Sequence, residues 1–391
     1  MDEFRAEVRE FIAANLPDDV RDACMAGQYP TQEMLARWQR ILADQGWSAP
    51  NWPVEYGGPD WSTRQVVAFA DECESNFCPP LPNFGIGMIG PLLMTYGNQA
   101  QKDFFLEKTR TGEFQWCQGY SEPGAGSDLA LLKTRAVLED GHYVVNGAKI
   151  WTSEAHHADW MFCLVRTDPE AAKKQDGISM LLIDMTTPGI TIRPIIGLNG
   201  IHYFNEIFFD DARVKAENLI GEQDNGWQYA KALLSDERFN QARTAICRGL
   251  LARLKRLAAA TMCEGNPLIQ QDYFRRKIGR AEVRIMALEA VEQGFVDANE
   301  RGGRLGPEVS ILKLTGSELL KDLDRLLMEA AGVAGLPYDP GWMQGRENAR
   351  TDDIDAVGTL SGFRHRRKAA TIAGGSSEVQ RMIIAKRVLE L

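Results

Sequence analysis

The stretch TRAVLEDGHYVVNGAKIWTS, residues 134–153, decides the fold. Short runs rich in Val, Ile, Tyr and Trp flank two turn signals, Asp140-Gly141 and Asn146-Gly147. Tight hairpin turns need positive φ at their central residues, which Asn-Gly and Asp-Gly pairs tolerate best, so the spacing predicts hairpins. Downstream, DWMFCLVRTD (159–168), GISMLLIDM (177–185), GITIRPI (189–195) and NEIFFDDARV (205–214) continue the same alternation of strand and turn. Residues 113–221 therefore read as a compact antiparallel β-domain.

Outward from this zone the period changes. FRAEVREFIAANL (4–16) and EMLARWQRILADQGW (33–47) carry apolar residues at helical spacing, and SAPNWPVEYGGPDW (48–61) punctuates them with Pro and Gly. Residues 1–112 read as a helical N-terminal domain. Beyond residue 221, GWQYAKALLSDERFNQARTAICRGLLARLKRLAAAT (226–261) reads as helix, and GVAGLPYDPGW (332–342) breaks the helices late. Residues 222–391 read as a C-terminal helical domain. The fold class is α+β, in the order helices, β-domain, helices.

Composition narrows the function. The chain has 391 residues, 25% charged and 44% hydrophobic, as in ordinary globular proteins. Its net charge of -10 argues against nucleic acid, whose phosphates need a basic face. The apolar runs are too short to span a bilayer. The opening MDEFRAEVREFIAANLP lacks the apolar core of a secretion signal. Seven cysteines lie scattered with no CxxC spacing, which argues against a metal site or a disulfide framework and suits a reducing cytoplasm.

Four segments are candidates for chemistry. Ser121-Glu122-Pro123-Gly124-Ala125-Gly126-Ser127-Asp128 offers close backbone approach and hydroxyl donors, although taken alone it reads first as a Gly-rich turn. In Lys149-Ile150-Trp151-Thr152-Ser153 an indole beside small hydroxyls suits a flat aromatic ring system, the alternative being a core Trp. Glu237 lies seven residues after Ala230 and four after Leu233, on an apolar helical stripe continuing to Ala245 and Ile246. Burial raises a carboxyl pKa and suits a general base; pairing with Arg238 is the other reading. Phe363-Arg364-His365-Arg366-Arg367-Lys368 is either a solvated helix face or a phosphate-binding run.

SEPGAGSD, KIWTS, NEIFFDDARV followed by ENLIGEQDNGW, and the ending GGSSEVQRMIIAKRVL stand in the order found in the acyl-CoA dehydrogenase family, which the chain resembles along nearly its whole length. The resemblance implies a helical N-domain, a middle β-domain and a C-terminal four-helix bundle, with FAD and the acyl thioester between the last two. It implies that Tyr120, Ser121, Gly126 and Ser127 line the flavin, Ser121 near the pyrimidine edge and Ser127 also beside the acyl-pantetheine arm. Trp151 would cover the isoalloxazine, with Thr152 beside it, and Ser153 would reach flavin N5. Glu329, Gly332, Ser376 and Glu378 would complete the cofactor site.

Most members of the family carry their catalytic Glu just before the final signature, where this chain has Gly374 in Ala373-Gly374-Gly375-Ser376. A minority carry it in the first bundle helix ahead of an Arg, where this chain has Glu237-Arg238. The resemblance thus implies Glu237 as base, with Arg238 and Gly374 beside the substrate. One motif is missing. Where the family usually has Arg-x-x-Phe-Gly, whose Arg reaches the FAD pyrophosphate of a neighbouring subunit, this chain reads Met262-Cys263-Glu264-Gly265-Asn266-Pro267-Leu268. That pattern resembles the large subunits of heteromeric pimeloyl-CoA and steroid side-chain dehydrogenases. It implies a smaller sister subunit, a homo-oligomer being the alternative, with an electron-transfer flavoprotein as electron acceptor. A non-catalytic scaffold subunit and a nucleic-acid binder on the same fold are the rival readings.

Overall fold

The computed structural model describes residues 1–240, 243–303, 305–344 and 357–391, with backbone only at 234–240. Two compact units divide it. One comprises Met1–Trp38, Trp61–Pro80 and Ser235–Leu391; the other comprises Gln39–Asp60 and Leu81–Leu234.

The N-terminal helices are α1 (Asp2–Asn15), α2 (Asp18–Met25), α3 (Gln32–Gln45), α4 (Thr63–Ser75), α5 (Gly90–Tyr96) and α6 (Gln99–Thr111). Their ends follow from local chemistry. Ser62 with Gln65 and Asn98 with Gln101 form reciprocal capping boxes at the starts of α4 and α6. Gly112, at φ 80°, ends α6 in the left-handed conformation that glycine takes without strain.

Strands β1 (Trp116–Gly119), β2 (Arg135–Glu139), β3 (His142–Ser153), β4 (Trp160–Arg166), β5 (Ile178–Asp184), β6 (Ile190–Ile196) and β7 (His202–Lys215) form one sheet. The order is β1-β4-β2-β3-β7-β6, with β5 on β4. Pairing is antiparallel except where β1 and β2 meet β4 in parallel. Met161 to Val165 of β4 are fully buried, which explains their continuous apolar run.

The two turn signals take different roles. Asp140 and Gly141, at φ 48° and 73°, make the β2–β3 hairpin turn as expected. Asn146-Gly147 does not turn the chain: it lies inside β3, opposite a bulge of β7 at Asp210-Asp211. The Asn146 side chain bonds Asp211 through both its amide nitrogen and its oxygen, and this cross-strand pairing consumes the turn-forming potential. A Cβ on Gly147 would approach the Thr134 backbone within 2.7 Å.

The C-terminal helices begin with α7 (Gly226–Asn240), α8 (Thr244–Ala260), α9 (Asp272–Glu300) and α10 (Ser310–Ala331). Leu250, Leu254, Phe274, Ile278, Leu319 and Leu323 form the core of α8–α10. The single helix expected over 226–261 is two: α7 ends at Asn240, and Arg243 stands at φ 54° ahead of α8. Ala245 and Ile246 therefore do not extend the Glu237 stripe. Met262–Cys263 pairs with Asn266–Pro267 around Glu264-Gly265, at φ 50° and 81°, so the segment lacking the family arginine is a small β-hairpin.

One ion pair fastens the loop after β1 to β3. Lys149 is fully buried, and its Nζ donates to Glu122 Oε1 at 2.8 Å and to the Tyr120 carbonyl at 3.2 Å. Glu122 also accepts from the backbone amides of Lys133 and Thr134, at 2.6 and 2.9 Å. Burial alone would raise the Glu122 carboxyl, but the Lys149 ammonium and these donors hold it below its ordinary value. Removing one partner of a buried pair leaves an uncompensated charge. Lys149→Met is expected to cost about 3–5 kcal/mol in chemical denaturation, far more than loss of a surface pair. A loss below about 1 kcal/mol would show that water reaches Glu122.

Candidate functional site

In the sheet unit the expected residues converge on a bulge of β3. Register against β7 slips between Lys149 and Thr152. Trp151, in the slipped segment, stands at φ 62°, a conformation that costs a bulky residue energy and marks functional strain when it persists. Its indole is 57% exposed and meets Phe204 edge-on, with ring centroids 5.9 Å apart. The core-Trp reading is thereby excluded. Thr152 beside it is buried, and its hydroxyl has no hydrogen-bond partner. Ser153 is half-buried and closes the strand.

The SEPGAGSD loop abuts this bulge. The Ile150 amide donates to the Ser121 carbonyl at 2.8 Å. Tyr120 is buried edge-on against Phe162. Glu122 and Ala125 exchange both backbone hydrogen bonds, turning the loop tightly. Gly124, Gly126 and Ser127 are exposed, and a Cβ on Gly126 would meet nothing within 4 Å. Asp128 pairs with Lys174. The buried amide nitrogen of Gln118, on β1, is also unpartnered. A flat exposed indole, an open glycine loop and unpartnered buried polar atoms fit a flat aromatic cofactor with hydrogen-bonding edges.

The helical unit holds the remaining expected residues. Glu237 and Arg238 fall in the last turns of α7; their side chains lie outside the described residues. Glu329 is exposed and pairs with Lys277. Gly332 ends α10 at φ 57° and ψ -137°, which glycine alone adopts easily. Gly374 and Gly375, at φ 64° and 81°, lead into the final helix, Ser377–Arg387. Their carbonyls accept from the Gln380 amide, and that of Gly375 from Lys313 at 2.7 Å. Ser376 caps the helix by accepting from the Val379 amide, and Glu378 lies in its first turn. Among the described residues the buried Ser377 hydroxyl and the Gln380 side-chain oxygen have no partner, so this helix N-terminus retains hydrogen-bonding capacity. The basic run is more than a solvated face: Arg367 reaches inward to Asp324 at 2.6 Å, and Arg366 lies over the Tyr29 ring.

A cluster that sequence reading missed lies behind the Trp151 bulge. Asn205 of β7 is fully buried. Its Nδ2 lies 3.0 Å from the Thr152 carbonyl and 3.1 Å from His156 Nδ1, and its Oδ1 lies 2.7 Å from His202 Nε2. The His156 and His202 rings stack at 3.7 Å. Burial, then the neighbouring His157 and His202 rings, pushes His156 down to about 4. Glu154, His156 and His157 bring one potential metal-ligand atom each within 4.8 Å. The adjacent His156-His157 pair was the available signal, but only the β3–β7 register brings Asn205 to it.

Family models match the chain over nearly its whole length. The acyl-CoA dehydrogenase N-terminal domain matches residues 1–113, the middle domain 117–212 and the C-terminal domain 224–389. The chain is 36% identical to the acyl-CoA dehydrogenase IpdE1 of Mycobacterium tuberculosis, over 100% of this chain and 98% of that protein. It is 32% identical to the acyl-CoA dehydrogenase FadE26 of the same organism, over 100% and 96%. Among solved structures it is similar to the ChsE4-ChsE5 complex from Mycobacterium tuberculosis, with a TM-score of 0.84 and 31% identity, covering 100% of this chain and 97% of that one. The Tcur3481-Tcur3483 steroid ACAD gives a TM-score of 0.85 at 28% identity, covering 100% and 97%. With all three domains matched in order and relatives aligned over its whole length, the chain belongs to the acyl-CoA dehydrogenase family.

Proposed function

We propose that this chain catalyses FAD-dependent α,β-desaturation of an acyl-CoA thioester, with Glu237 as the base that removes the α-proton. The observation that carries this reading is the exposed Trp151 indole, held at positive φ beside the unpartnered Thr152 hydroxyl. Members of the family are FAD-dependent flavoproteins. FAD, when bound, supplies the two-electron acceptor for the hydride that leaves the β-carbon.

The chain's own residues would do the rest. Trp151 would cover the ring system and Ser153 would offer a hydroxyl to its edge, with Thr152, whose hydroxyl is buried, beside them in the proposed cofactor site. Tyr120, Ser121, Gly126 and Ser127 line the loop side. Ser376, Glu378, Glu329 and Gly332 are the proposed contacts in the helical unit, the first two at a helix N-terminus that favours anions. Glu237 follows the buried Ala230 and Leu233 of α7 at helical spacing; a general base on such a stripe would have its carboxyl pKa raised by burial. Gly374, with no side chain, leaves room for a bulky acyl group, and Arg238 and Ser127 are the other proposed substrate contacts. Two solved relatives are named as two-chain assemblies, one of them a steroid ACAD, which supports a bulky acyl substrate and a sister subunit. An electron-transfer flavoprotein is the proposed oxidant of the reduced protein, and the cytoplasm the proposed site of action. Among the described residues no helix is long and apolar enough to cross a membrane.

Two experiments test this reading. Glu237→Gln removes the proton acceptor without changing size. It is expected to retain FAD and acyl-CoA binding while substrate-dependent flavin reduction slows by about two to four orders of magnitude. Reduction near the wild-type rate would remove Glu237 from its role. The second concerns assembly. A missing charge-assisted bond to a pyrophosphate weakens binding by about ten- to a hundred-fold. Expressed alone, the chain is expected to be flavin-poor. Co-expressed with a smaller dehydrogenase-like chain, it is expected to form a mixed oligomer that retains FAD, checked by flavin absorbance per chain and by light scattering. A homo-oligomer with a full complement of FAD would refute the heteromeric assignment and leave the chemistry standing.

A further inference from the structure

One carbonyl fixes the protons of two histidines. The Asn205 side chain faces the Thr152 carbonyl, which can only accept, so the group pointing at it is the amide NH2. The second hydrogen of that NH2 points at His156 Nδ1, 3.1 Å away, which must therefore be the unprotonated nitrogen. His156 is then neutral, with its proton on Nε2. The Asn205 oxygen is left facing His202 Nε2 at 2.7 Å, and that nitrogen must carry a proton. Flipping the Asn205 amide would set its oxygen against the Thr152 carbonyl and lose that bond, while the two histidine contacts could be remade only with the opposite tautomers, so the Thr152 carbonyl decides the orientation. The same bookkeeping weakens a metal site at Glu154, His156 and His157, because the His156 lone pair is already engaged.

This network stands where the β3–β7 ladder resumes after its slip. Thr152 pairs with Asn205 and Ser153 with Phe204, while Lys149, on the other side of the slip, pairs with Ile207. Trp151 occupies the unpaired interval at φ 62°, and the ring it leans on, Phe204, is the residue next to Asn205. A strained bulge of this kind persists only when its surroundings over-determine it. The buried Lys149 anchors one end. The Asn205 bond to the Thr152 carbonyl anchors the other.

We propose that Asn205, oriented by His156 and His202, is a positioning residue that holds the Thr152 end of the bulge, and so sets the pose in which Trp151 meets the flavin. The inference rests on the flavoprotein reading given above. Asn205 acts through Thr152 and its neighbour, and His156 and His202 act through Asn205.

His156→Phe keeps a flat ring for stacking on His202 and removes the acceptor; His156→Gln restores an acceptor without a ring. Protein in whichever form retains FAD, alone or with its sister subunit, is titrated with FAD and followed by the visible flavin band. His156→Phe and Asn205→Asp are each expected to raise the FAD dissociation constant about tenfold, as for loss of a buried hydrogen bond. His156→Gln is expected to stay within about twofold of wild type. In a Trp151→Phe background the His156→Phe effect is expected to shrink to about twofold, since residues acting through one another are not additive. In the flavin-free protein, Trp151 emission, taken as the difference from Trp151→Phe, is expected to shift in His156→Phe and not in His156→Gln. Equal FAD affinity in the Phe and Gln variants, an unshifted Trp151 emission, or a full His156→Phe effect in the Trp151→Phe background would overturn the proposal. A wild-type protein that binds no FAD in either form would overturn the flavoprotein reading itself, and the proposal with it.

Discussion

A buried ammonium sets the layout of the sheet unit. Lys149 has no exposed surface, so its charge must be met inside the protein, and Glu122 and the Tyr120 carbonyl meet it. Glu122 in turn accepts from two backbone amides at the start of β2. The loop after β1, the entry to β2 and the outgoing half of β3 are thereby tied at one point. Gly126 and Ser127 are exposed on the free side of that tie, and Trp151 projects from the strand just beyond it.

The same constraint explains why the Trp151 segment holds an unfavourable backbone. Between the Lys149 anchor and the Asn205–Thr152 bond, the chain has one residue too many for regular pairing with β7. The excess is expressed as a left-handed Trp151 whose indole leaves the core. A regular strand would alternate its side chains between faces and give the indole no such freedom. In the helical unit a comparable economy appears before the last helix. Gly374 and Gly375 turn the chain at positive φ, and their carbonyls are tied by Gln380 and Lys313. The adjoining Ser377 hydroxyl remains unpartnered.

Much of the fold was legible because it rests on local patterning. The change from helical period to alternation and back follows from side chains that must reach one face, and the Asp140-Gly141 turn follows from the φ values its residues tolerate. What was not legible rests on pairing across strands. Asn146-Gly147 carries the same turn signal as Asp140-Gly141, yet pairing with Asp211, sixty-five positions away, holds it in a strand opposite a bulge of β7. Nothing in the sequence announces the left-handed Arg243 ahead of α8. At the site, KIWTS was recognisable as a segment, and the exposure of Trp151 was not, because it depends on register. Asn205, opening a strand signature, and the His156-His157 pair were in plain view but gain meaning only where β3 meets β7.

The central claim is that this chain uses a bound flavin to oxidise an acyl thioester. Its most direct test is an anaerobic titration of the flavin-loaded protein with straight-chain, branched, dicarboxylic and steroid-side-chain acyl-CoAs, read as loss of the visible flavin band with the product analysed by mass. The account predicts stoichiometric bleaching by at least one acyl-CoA, with a product two hydrogens lighter. Flavin-loaded protein that binds these thioesters and is bleached by none of them would contradict it.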